Sequence, residues 1–150
     1  MYPRILVPLD GSDTAQRGLR EALTLATGLD VTLVLLHVID DFPTVRQLAA
    51  SEPIDQLEVQ RRQAGQELLS RGEQLATAAA VRTEAVVCLA VESVPDSIID
   101  TALTKGCGLI VLGTHGRSGL HRAVLGSVAE RVSRHSPVPV MLVPPAREAG

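Results

Sequence analysis

The chemistry this chain could do is concentrated in the stretch from Gly113 to Ser127: Gly113-Thr-His-Gly116, nine residues, then Gly126-Ser127. A short apolar run, Leu109 to Leu112, precedes it, and helical spacing begins at Val128 and Val132. The pattern predicts a buried strand that ends in a glycine-rich loop and delivers the chain to a helix N-terminus. Such an arrangement suits a phosphate. Glycines let backbone N–H groups approach an anion with no Cβ in the way. The first N–H groups of a helix lack partners within it and carry partial positive charge. Ser127 adds a hydroxyl that could donate to a phosphate oxygen or cap the helix. Glycines also punctuate ordinary connections, but three of them with a serine at this spacing favour the anion site.

Other residues could join it. Asp10 follows the apolar run Arg4 to Leu9. It could cap the next helix, but Ser12 and Asp13 already offer caps, so a functional carboxylate is the preferred reading. His37, among Leu36, Val38 and Ile39, is expected to be a hydrogen-bonded structural histidine. His115, inside the glycine loop, is either a phosphate neighbour or an exposed loop residue. His121 and His135 are expected at the surface, as are Arg61, Arg62 and Arg71 on a solvated helix face. No Ser-His-Asp constellation is supported by spacing.

The remaining composition excludes a good deal. Lys105 is the chain's one lysine, and it stands between Thr104 and Gly106, so there is no Walker A Gly-Lys-Ser/Thr. Its place suits a cation at a helix C-terminus rather than a Schiff base. Aromatic residues are limited to Tyr2 and Phe42, which argues against base-stacking recognition of nucleic acid. A net charge of −3 offers no general attraction to nucleic acid or anionic membranes. Cys88 and Cys107 form no CxxC or Cys/His cluster, and Cys88 reads as a small buried thiol. The first βα turn has Asp10-Gly11-Ser12 where a dinucleotide dehydrogenase wants GxGxxG. A phosphoacceptor receiver would need an acidic cluster after strand one and a lysine near strand five. No signal-peptide pattern and no membrane-spanning apolar run are visible, so a cytoplasmic protein is expected, with no membrane and no nucleic acid among its partners.

These residues must be positioned by a frame, and periodicity supplies one. Apolar runs at Arg4–Leu9, Val31–Ile39, Val81–Leu89, Leu109–Leu112 and Val138–Val143 read as strands. Ala15, Leu19, Ala22, Leu23 and Ala26 mark a first helix closed by Gly28. Leu57, Ala64, Leu68, Leu75 and Ala79 are the expected buried face of a second. Pro95 opens a third, expected to bury Ile98, Ile99, Ala102 and Leu103. A fourth runs from the glycine loop to about His135, stopped by Pro137. Asp40 to Pro53 reads as a long excursion. Alternating strands and helices predict one domain over residues 1–150, an α/β doubly wound open sheet of five parallel strands in the order 3-2-1-4-5. Asp10 and Gly113 would then meet in the crevice where strand order reverses.

With Asp10 and Gly113 so placed, with Gly-x2-Gly-x9-Gly-Ser from Gly113 to Ser127, and with His37-Val38-Ile39-Asp40 ending strand two, the chain resembles the universal stress protein family over essentially its whole length. It is most similar to the ATP-binding branch, and matches that signature at every fixed position. Ser93 departs from the glycine many members carry two positions before the proline of helix three, and could cap that helix instead.

The resemblance implies an adenine nucleotide alpha hydrolase-like fold and a site for ATP with Mg²⁺. Backbone groups of Val38 would meet the adenine edge, and Asp10 the ribose or a phosphate-bound Mg²⁺. Gly113 and Gly116 would line the ribose and phosphate path, with Pro8, Leu9 and Leu112 beside them. Gly126, Ser127 and Val128 would hold the β- and γ-phosphates, and Arg117 is a further phosphate candidate. The expected function is a nucleotide-dependent stress or regulatory switch with slow or no hydrolysis, read by an unidentified regulatory partner. Residues 40–53 are placed to order with the nucleotide. The alternatives are a slow ATPase enzyme and a partner-binding stress protein that needs no nucleotide. Strand 138–143, apolar on both faces and at an edge, is expected to pair in a homodimer.

Overall fold

The computed structural model describes residues 1–40, 54–90, 92–115 and 125–147. Within them, strands and helices alternate: β1 (Arg4–Pro8), α1 (Asp13–Ala26), β2 (Thr32–Ile39), α2 (Ile54–Ala78), β3 (Arg82–Leu89), α3 (Val94–Thr104), β4 (Leu109–Gly113), α4 (Ser127–His135) and β5 (Val140–Val143). All strands pair in parallel in one sheet ordered β3-β2-β1-β4-β5. This is the doubly wound α/β topology expected from the sequence. Order reverses between β1 and β4, which pair at Ile5↔Leu109 and Leu6↔Ile110.

Why the strands are apolar on both faces follows from what covers them. Side chains alternate along a strand, and here each set has its own core. Ile5, Val7, Leu33, Leu35, Leu109 and Val111 pack with α1 and α2 residues such as Leu19, Ala22 and Leu69. Leu6, Val34, Leu36, Ile110 and Leu112 pack with Ile98, Ile99, Ala129 and Val132 of α3 and α4. Crossovers that keep one hand while strand order runs first one way and then the other must deposit their helices on opposite faces.

Local chemistry sets the element ends. Ser12 caps α1, its hydroxyl accepting from the Ala15 N–H at 3.2 Å. Gly28, at φ +78°, turns the chain beyond that helix. Ser93 does cap α3, accepting from the Asp96 N–H at 3.2 Å, with Pro95 in the first turn. The β5 ladder starts at Val140, two residues later than expected. Pro139 has no N–H to give, although its carbonyl accepts from the Ile110 N–H at 3.0 Å.

Two expected faces are corrected. Helix α2 buries Gly65, Leu68, Leu69, Gly72 and Ala76, while Ala64 and Leu75 of the expected stripe are exposed. The glycines decide it. A Cβ on Gly72 would stand 3.1–3.4 Å from Leu35, Leu9 and Leu19, and one on Gly65 would stand 2.6 Å from the His37 ring. The helix therefore lies close to the sheet along its glycine side, and an apolar count that omits glycine selects the wrong stripe. On α3, Leu103 is 53% exposed rather than buried. Ile98, Ile99 and Ala102 already fill that helix's contact with the sheet.

Candidate functional site

A cleft of about 520 Å³ opens beyond the C-terminal strand ends, a size ordinary for small-ligand pockets. Of the residues singled out from sequence, Pro8, Leu9, Asp10, Val38, Leu112, Gly113, Gly126, Ser127 and Val128 all line it. Gly116, Arg117, His121 and residues 41–53 lie outside the described residues.

The β1 side is built by an early strand end. β1 pairs with β2 only as far as Pro8↔Leu36, whereas β2 continues against β3 to Ile39↔Leu89. The Leu36 carbonyl accepts from the Leu9 N–H at 2.7 Å, and the Ile39 carbonyl from the Ala90 N–H at 2.8 Å. Backbone groups point to alternate sides along a strand. Val38 therefore turns its N–H and C=O toward the side β1 has left, which is the cleft. Asp10, just past β1, accepts from the Ser12 N–H at 2.8 Å. Ser12 is the α1 cap, so the capping alternative for Asp10 does not hold. His37 is structural as expected: its Nδ1 is 2.8 Å from the Leu9 carbonyl. A carbonyl only accepts, so Nδ1 carries the proton.

The β4 side is held by buried hydroxyls and by glycines that admit other backbone. Thr14, Thr114 and His115 are the buried polar residues among those described, and all three gather here. The Thr14 hydroxyl donates to the His115 carbonyl, tying the first turn of α1 to the loop. Thr114 Oγ1 and His115 Nδ1 are 2.8 Å apart, and the Gly126 N–H donates to the Thr114 carbonyl at 2.8 Å. His115 is thus a buried member of the cleft wall, and the exposed-loop alternative fails. A Cβ on Gly113 would come 2.8–2.9 Å from the backbone and hydroxyl of Thr14, and one on Gly126 would come 2.8 Å from the Thr114 oxygen. In the sequence these glycines suggest space for an anion. In the structure their missing side chains let α1, the loop and α4 touch.

Helix α4 begins with Gly126 as its N-cap and no side-chain hydrogen bond to its first turn. Ser127 occupies the first helical position and does not cap, so the expected capping role does not hold. The N-terminal amides of α4 consequently open on a cleft bordered by Gly126, Ser127 and Val128.

Sequence reasoning missed three participants. Thr14 and Thr114 carried no periodic or motif signal. Arg61, expected on a solvated face, lines the cleft from α2 and donates to the Asp40 carbonyl at 3.3 Å. Arg62 pairs with Glu58 and Arg71 is exposed, as expected of a solvated face. No grouping of three or more His, Cys, Asp or Glu suited to a metal occurs among the described residues. Burial raises both thiols, Cys88 and Cys107, away from the reactive thiolate. No helix among the described residues is long and apolar enough to cross a membrane.

Known proteins share this architecture. The description of the universal stress protein family matches residues 1–144. The universal stress protein MJ0531 of Methanocaldococcus jannaschii is 33% identical over 144 residues, covering 95% of this chain and 82% of that protein. The solved structure of the hypothetical protein MJ0577 superposes with a TM-score of 0.86 at 26% identity, covering 99% of each chain. A universal stress protein from Archaeoglobus fulgidus, solved in complex with dAMP, shares the fold at a TM-score of 0.67 and 24% identity, covering 95% of this chain and 98% of that one. A family description that runs nearly end to end, and a relative one-third identical over the same span, make this chain a member of the universal stress protein family.

Proposed function

We propose that this chain binds ATP, with Mg²⁺ on its phosphates, and works as a nucleotide-dependent stress or regulatory switch that hydrolyses ATP slowly or not at all. The observation that carries the reading is the pairing, in one cleft, of the outward-facing Val38 backbone with the uncapped N-terminus of α4. One N–H beside one C=O matches the acceptor and donor on the Watson–Crick edge of adenine. Uncapped helix amides match phosphate. A relative of the same fold was solved with dAMP, which agrees with an adenine nucleotide as the ligand class.

The donor set also suits the metal. Mg²⁺ is commonly held by one or two carboxylates together with substrate phosphates, and Asp10 supplies one carboxylate at the cleft. The alternative role for Asp10 is a hydrogen bond from the ribose. Bound Mg²⁺ would neutralise phosphate charge. The chain's own part is to seat the base at Val38, orient the phosphates on Gly126, Ser127 and Val128, and hold the loop through Thr14. Gly116 and Arg117 keep their proposed phosphate roles on the sequence motif alone.

Slow turnover is inferred because the glycine loop carries no Walker lysine. Rapid phosphoryl transfer wants a positioned cation on the transferring group and a placed base. The single lysine, Lys105, ends α3 and pairs with Glu84, away from the cleft. Residues 1–150 are read as one domain, cytoplasmic, dimeric through strand 138–143, whose β5 stands at a sheet edge, and read by a regulatory protein partner.

Two measurements test this together. Mass spectrometry of small molecules released from gently purified protein should find ATP or ADP near one per chain. Turnover above about 1 s⁻¹, the low end of ordinary enzyme rates, would make it an ATPase and end the switch reading.

A further inference from the structure

Within that adenine-nucleotide reading, we infer that Arg61 is a base-recognition residue, its planar guanidinium covering one face of the purine rather than reaching for the phosphates. The inference starts from the sheet. A flat base whose edge meets the Val38 N–H and C=O extends the plane of the sheet past the end of β1. Its two faces then look toward the two helical layers. On one side stand Val94 and Ile98 of α3, which line the cleft and belong to the α3/α4 core. On the other stands α2, which lines the cleft with Arg61 and Ala64.

Helix α2 is brought to this position by Gly65, whose Cα lies so close to the His37 ring that a Cβ would fall 2.6 Å from it. His37 is itself tied to the Leu9 carbonyl. The height of Arg61 over the cleft is thus set by packing one helical turn away. Ala64, on the same side, is too small to cover a purine. The Arg61 guanidinium reaches the Asp40 carbonyl at 3.3 Å, two residues beyond Val38. That places it at the Val38 end of the cleft, while the phosphate end is defined by the first residues of α4. Arginine is suited to the task because its delocalised plane stacks on aromatic rings, which a lysine ammonium cannot do. Aliphatic residues on one face and a guanidinium on the other would sandwich the base.

The test uses calorimetry with adenosine, AMP and ATP on the wild-type chain, R61A and R61K. Alanine is a good helix former, and far-ultraviolet circular dichroism checks that α2 is kept. R61A should weaken all three ligands by a similar factor, about tenfold for a partly desolvated cation–π contact. R61K should remain weakened, because it keeps the charge and loses the plane. Loss that grows from adenosine to ATP would make Arg61 a phosphate residue and overturn the inference. So would unchanged affinity in R61A, or full recovery in R61K. A folded wild-type chain that binds none of the three ligands would instead overturn the nucleotide reading itself.

Discussion

The two ends of this sheet use polar residues in opposite ways. At the N-terminal end, Glu84 of β3 is bonded by Arg4 of β1 and by Lys105 at the end of α3. Arg4 also donates to the Lys105 carbonyl at 2.7 Å. Charge there is spent within the protein, clasping two strands and a helix. At the C-terminal end the buried polar residues among those described are two threonines and a histidine: the Thr14 hydroxyl holds the His115 carbonyl, and Thr114 Oγ1 meets His115 Nδ1. Amides of α4 and the Val38 edge open on the cleft and have no protein partner among the described residues. The cleft end is thus anchored by hydroxyls and close backbone contacts, where the other end is anchored by ion pairs.

Breaking the neutral anchors should therefore cost binding, and breaking the charged clasp should not. The largest effect is expected from Gly126→Val, because the first added carbon falls 2.8 Å from the Thr114 oxygen. Overpacking of that kind costs about 1–3 kcal/mol, and displacement of the α4 N-terminus should lower ATP affinity at least about tenfold. Thermal melts and calorimetry read the two losses. Gly126→Val with unchanged ATP affinity would show that α4 does not seat the phosphates.

Thr14→Val comes next. It keeps the shape and removes the hydroxyl that donates to the buried His115 carbonyl, a loss of about 1–3 kcal/mol in stability. ATP affinity should fall about fivefold, the equivalent of about 1 kcal/mol, and Thr14→Ser should restore it. Failure of the serine to restore binding would mean that the methyl group, not the hydroxyl, sets the loop.

Glu84→Gln should do least and sharpen the contrast most. Hydrogen bonds from Lys105, then Arg4, hold the Glu84 carboxyl below its ordinary value. The unfolded chain therefore takes up this proton at higher pH than the folded one. The stabilisation is whole above the ordinary glutamate range and fades as pH falls through the lowered folded value. With the carboxylate about a third exposed, solvent screening keeps the contribution below about 1 kcal/mol. Glu84→Gln should flatten the acid limb of the stability curve and leave ATP affinity untouched. A change in affinity would mean that the two ends are coupled through the sheet.

How far the sequence could be read depended on the kind of signal. Val38 entered through the family resemblance. Strand order, the caps at Ser12 and Ser93, the structural role of His37 and the meeting of Asp10 with the glycine loop followed from periodicity, cap chemistry and a spaced motif. Each is a local rule or a consequence of topology. The α2 face was misread because glycine carries no hydrophobic weight, yet Gly65 and Gly72 mark the closest approach to the sheet. Leu103 was misread because its neighbours already fill the contact. Arg61 was taken for a solvated arginine because its position over the cleft depends on helix α2 packing against His37, a contact between residues distant in sequence. Thr14 and Thr114 gave no warning, since a threonine buried in a cleft wall looks like any other in sequence.

Amide chemical-shift mapping during an ATP titration tests the central claim most directly, because it reads both ends of the sheet at once. Binding in the cleft predicts the largest saturable changes at Val38, Gly126, Ser127 and Val128, with Arg4, Glu84 and Lys105 nearly still. Saturable changes centred on Glu84 and Lys105, or none anywhere in a folded chain, would contradict it.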